Sequence, residues 1–155
     1  MRRQRAKRTE SRREDFCGSF FTGFTSCDST VSGGTAAWRR GYRTGQEYRR
    51  AKPTKIKETM EGFGYTAVEA DGTWTDSFEH SDFVPDKQPT QTWWLAYFGN
   101  TRSNLTNNIR LLAEGFHPGV HIRVKGYLSP FGQHGHCGYY PHEILATAIS
   151  TIGGS

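Results

Sequence analysis

The chain has 155 residues, 34% of them hydrophobic and 18 of them glycine. That allows one ordinary domain of about 100–150 residues with many turns, and argues against a helix bundle. A net charge of +5 conceals an asymmetry: Met1 to Lys57 carries 15 Lys/Arg against 5 Asp/Glu, and Glu58 to Ser155 carries 5 against 10. No run approaches the roughly 18 apolar residues that a membrane-spanning helix needs. The three cysteines, Cys17, Cys27 and Cys137, are too few for a disulfide framework, although Cys17 and Cys27 could close a short loop in an oxidising compartment.

Met1 to Asp15 is charge-dense with almost no apolar side chain, so it cannot recover its ordering entropy and reads as disordered. Phe16 to Thr54 mixes Gly, Ser, Thr, Phe and Arg without a helical or strand period. Residues 1–57 are thus expected to form a basic, largely disordered arm, with Pro53 near its end. The order of basic stretch, Phe16 to Phe24, small residues and Cys27 also imitates a lipoprotein export signal, but glycine, serine and threonine interrupt the apolar part. A cytoplasmic protein is the expectation, with lipoprotein-like export at Cys27, or a true start nearer Met60, as alternatives.

From Glu58 the pattern changes to that of a β-rich domain, residues 58–155. Glu61 to Val68 reads as a first strand, Asp71-Gly72 as a tight turn, and Thr73-Trp74 as the start of a return strand. Asp76 to Pro89 is acidic and reads as a loop. Gln91 to Phe98 is the most β-favouring stretch. Thr101 to Asn108 reads as a polar loop, and Ile109 to Phe116 as helix or strand. Val120 to Leu128 alternates apolar and polar residues as a half-buried strand does. Ser129 to Gly138 is a glycine-rich connection before a last strand, Ile144 to Ile149.

The order Gly-Val-x-Ile-x-Val-x-Gly-x-Leu from Gly119, then a Gly/His loop and an Ile/Leu-rich strand, resembles the closing strand pair of small OB-like bacterial β-barrels, several of them without assigned function. The resemblance implies a mainly β, OB-like barrel of five or six strands, and implies no activity.

Three constellations could carry chemistry. Five of the six histidines fall between His117 and His142. His134 and His136 share one face of an extended segment and could reach a zinc ion, but the spacing matches no established zinc pattern, and two imidazoles shaping a glycine turn are the favoured reading. Trp93, Trp94, Tyr139 and Tyr140 lie on or beside barrel strands. With His134 and His136 they are the candidate ligand-binding residues, since rings at a barrel mouth can stack on bases or sugars. Most aromatic residues are nonetheless expected in the core. Arg39, Arg40, Arg43, Arg49 and Arg50, interleaved with Trp38, Tyr42 and Tyr48, suit phosphates and bases.

Cys137 beside His136 is no catalytic dyad, because neighbours in an extended chain point apart. No motif fixes a reaction, and no cofactor is implied. The expectation is a non-enzymatic binding or accessory domain of unassigned ligand. A nucleic-acid-binding protein using the arginines and barrel rings is the alternative, and a metal site in the Gly/His loop a second.

Overall fold

The computed structural model describes residues 18, 20–26, 34–77, 79–105 and 119–153. The stretch expected to be disordered, Met1 to Asp15, lies outside them, as do Cys17, Cys27 and the undecided segment Ile109 to Phe116. The chain divides into two compact units, Met1–Ile56 and Lys57–Ser155.

In the first unit, residues 20–25 are helical (α1) and Ala36–Ala51 forms the helix α2. The sequence reading found no period here, because the face that α2 turns inward is partly glycine. A Cβ at Gly45 would stand 2.1 Å from the Phe20 carbonyl oxygen, and one at Gly23 would stand 1.9 Å from that of Tyr42. The two helices therefore touch backbone to backbone, with Phe24 and Tyr42 buried beside the contact. The Thr35 side chain caps α2 by accepting from the Trp38 N–H at 3.1 Å. Arg49 donates to the Phe24 and Ser26 carbonyls, both at 2.7 Å, where α1 ends and its carbonyls lack helical partners.

In the second unit five strands close a barrel: β1 (Thr66–Ser77), β2 (His80–Pro85), β3 (Trp93–Tyr97), β4 (Val120–Leu128) and β5 (Glu143–Thr151), in the order β1-β2-β3-β5-β4. All neighbours are antiparallel except β3 and β5. Four sequence expectations change. Glu61 belongs to the helix α3 (Ile56–Gly62), so the first strand begins only at Thr66. Asp71-Gly72 is no turn but the middle of one 12-residue strand. A Cβ at Gly72 would lie 2.4 Å from the Val84 carbonyl oxygen and 2.7 Å from the Phe83 ring, so glycine serves close strand approach here. The acidic stretch read as a loop contains β2, whose polar residues His80 and Asp82 face outward while Ser81 and Phe83 are buried. Thr101–Asn104, read as loop, forms a single helical turn, α4.

The barrel interior holds Trp74, Phe83, Trp93, Leu95, Ile122, Val124, Ile144 and Ala146. With few aliphatic residues available, rings fill the centre, each removing roughly 150–250 Å² from water. The Trp74 indole donates to Ser81 Oγ at 3.1 Å, and Ser81 donates to the Leu95 carbonyl at 2.7 Å, so the buried polar atoms are paired. Among the described residues no helix is long and apolar enough to cross a membrane.

Candidate functional site

Strand alternation places Asp82, Trp94 and Glu143 in one row across the outside of β2, β3 and β5, since Asp82 pairs with Trp94 and Trp94 with Glu143. The connection 129–142 folds over this row. It is a closed hairpin of its own: His134 N–H donates to the Tyr140 carbonyl at 2.9 Å, and Tyr140 N–H returns to His134 at 3.2 Å. Ser129 ties its base. The Ser129 hydroxyl accepts from the Glu143 N–H at 2.9 Å and lies 3.0 Å from His134 Nε2, and the Ser129 carbonyl lies 3.0 Å from His142 Nδ1.

Positive φ is needed inside this hairpin at Gly135 (66°), Cys137 (55°) and Gly138 (71°). At Gly135 the requirement is double, because a Cβ there would stand 2.6 Å from the Tyr140 ring and 2.7 Å from Trp94. The loop backbone thus lies flat on an indole. Gly132, in the same loop, is not in this region.

Tyr140 is buried. Its ring meets Trp94 edge-on at 5.2 Å, and its hydroxyl donates to Asp82 at 2.5 Å and lies 3.1 Å from His80 Nδ1. Burial, then the Asp82 carboxylate, raises this phenol well above the ordinary tyrosine range. Tyr65 donates likewise to Glu143 and is raised by the same two causes. Both phenols are held as neutral donors, which suits anchoring rather than proton transfer near neutrality.

The candidate residues separate into three groups. Trp94, His134 and Tyr140 come together beneath the loop. Trp93 turns the opposite way, 6% exposed in the core, with its indole donating to Gln91 at 3.0 Å. Tyr139 and His136 stand on the loop's outer side, Tyr139 at 78% exposure. His134 and His136 do not share a face as an extended segment would require. His134 turns to Ser129 and Glu143, whereas His136 approaches Glu79 at 3.6 Å, because the positive-φ residues reverse the chain between and after them. Among the described residues no group of three or more potential ligands is placed to hold a metal ion. Cys137 is an exposed free thiol.

Sequence reasoning missed Phe131, which is 82% exposed and meets His142 edge-on at 5.9 Å. Its signal was an aromatic between Pro130 and Gly132, where no strand could bury it. The arginines also divide. Arg39 donates to the Gly34 carbonyl at 2.6 Å and Arg49 caps α1, while Arg40, Arg43 and Arg50 are exposed at helical spacing along one stripe of α2.

Comparison with protein-family models, with curated proteins and with solved structures gives no match to this chain.

Proposed function

We propose that the second unit is an OB-like, non-enzymatic binding domain that recognises its ligand through Phe131 and Tyr139. The observation that carries this reading is that two nearly fully exposed rings stand on a loop whose backbone is fixed from below. An exposed ring costs solubility, and one held on a pinned hairpin loses little further entropy when it stacks. Loops between strands 4 and 5 of OB barrels take oligonucleotides or oligosaccharides in this manner. The excess of carboxylates between Glu58 and Ser155 repels phosphate and favours neutral rings such as sugars. Full-length protein titrated with chitohexaose, cellohexaose and a ten-residue oligothymidylate tests it. A binder weakened at least tenfold by Phe131→Ala with Tyr139→Ala supports the reading. No binding by any of the three, or binding indifferent to both rings, overturns it.

A second reading, nucleic-acid binding by the first unit, is favoured by the single stripe of Arg40, Arg43 and Arg50. Three phosphate contacts to a single strand would give a log–log salt slope near about −2.

A further inference from the structure

The long strand β1 changes partners along its length. It pairs with β4 from Thr66 to Trp74, but with β2 only from Gly72 onward. Over Thr66 to Asp71 its second edge has no strand beside it among the described residues. Which backbone groups point there follows from one bond: the Asp86 N–H donates to the Asp71 carbonyl at 2.9 Å. In an antiparallel ladder both backbone groups of a residue point to the same side, and sides alternate. The N–H and C=O of Ala67 and Glu69 therefore face the same side as those of Asp71, and among the described residues no strand lies beside them there.

A cleft of about 650 Å³ opens along this edge, between β1 and the turn that leaves β2 at Pro85. Its floor is apolar, made by Val68, Ala70, Leu128 and Trp93. Its rim carries the carboxylates of Glu69, Asp71 and Asp86 against Lys87 and Arg123. Each of these carboxylates has a partner: Arg123 is gripped by both oxygens of Asp71, at 2.7 and 2.8 Å, Glu69 lies 3.5 Å from Arg123 and 3.3 Å from Lys125, and Asp86 lies 2.8 Å from His121.

We propose that this cleft takes an extended peptide with alternating apolar and basic residues, added as a strand to the edge of β1 at Ala67 and Glu69. Strand addition needs two things in one place, an unpaired backbone edge and a pocket for alternate side chains. Both are here. One face of the peptide sets its apolar side chains over Val68, Ala70 and Trp93, and the other carries its lysines or arginines past the acidic rim. The unit's 10 Asp/Glu against 5 Lys/Arg between Glu58 and Ser155 sets the sign of the partner. This site is separate from Phe131 and Tyr139, so it stands or falls apart from the function proposed above.

The test uses the full-length chain and the fluorescein-labelled heptapeptide Lys-Val-Lys-Phe-Lys-Val-Lys. Its companions are the same peptide N-methylated at alternate amides, in each of the two registers, and its glutamate counterpart. Saturable binding is expected, with the Ala67 and Glu69 amides protected from hydrogen exchange and affinity falling at least tenfold for the register that blocks the bonds to β1. The glutamate peptide is expected to bind at least tenfold more weakly. Glu69→Pro removes one edge N–H without touching the β4 ladder and is expected to weaken the parent peptide by a similar factor; should it not fold, the N-methylated peptides carry the same question. No saturable binding overturns the proposal. So does equal binding of both N-methylated registers and the parent, which would mark the cleft as a side-chain or small-molecule pocket.

Discussion

At Gly135 a side chain is excluded twice over, by a φ of 66° with ψ of −160° and by the two rings its Cβ would strike. Gly135→Ala is expected to cost about 1–3 kcal/mol and to lift the loop from Trp94; near-UV circular dichroism would report the lost Trp94–Tyr140 contact, and an unchanged spectrum would contradict the packing. The phenols lead to a second expectation. Tyr65, Tyr127 and Tyr140 all have raised ionisation, through burial first and carboxylates second. A raised phenol favours folding fully below the ordinary tyrosine value of about 10, and its contribution fades as pH climbs through and beyond that value. Spectrophotometric titration should thus show Tyr65, Tyr127 and Tyr140 ionising late, and Tyr140→Phe should remove one late-ionising phenol. The recurrence of Gly132, Gly135 and Gly138 at every third residue suggests positive φ more than once, and it occurs at Gly135 and Gly138 but not at Gly132. Which of Trp93 and Trp94 faces the core was not legible, since alternation separates neighbours without saying which side is inside.

Among the elements, Val120–Leu128 was legible because its strand alternates apolar and polar residues over its whole length. His80–Pro85 was hidden because His80, Ser81 and Asp82 are polar in succession, so the sequence shows no alternation there, and proline ends it. The helix Ala36–Ala51 was hidden for a different reason: its contact face offers Gly41 and Gly45 where an apolar stripe would have been recognised. Close backbone approach therefore makes the helix pair sensitive to small additions. Gly45→Leu is expected to separate α1 from α2 and to cost several tenths to half of the helical circular dichroism of the first unit. The conservative exposed change Thr44→Ala should leave it intact. Full helicity in Gly45→Leu would show that the contact does not hold the pair together.

For the whole molecule, each unit closes its own core, around Phe24 and Tyr42 in one and around Trp74 and Phe83 in the other. Removing Met1–Ile56 is accordingly expected to leave the barrel's thermal transition within a few degrees of its value in the full chain, measured by the near-UV signal of its buried tryptophans. A fall of ten degrees or more would contradict that independence.

The division of β1 between two partners also sets an order of assembly. Its second half meets β2 at once, Ser77 opposite His80, whereas its first half waits for β4, Thr66 opposite Leu128, 62 positions further on. Local pairing wins early because the loop it closes is short; the distant pairing must first overcome a long loop's entropy. The hairpin β1–β2 should therefore be structured in the folding transition state, with the β4–β5 seam sealing later. Val84→Ala is then expected to slow folding, and Ile149→Ala chiefly to speed unfolding, in a denaturant series of rates. Until that seam seals, the chain presents a half-built sheet with Val68 and Ala70 uncovered, so refolding yield should drop as protein concentration rises.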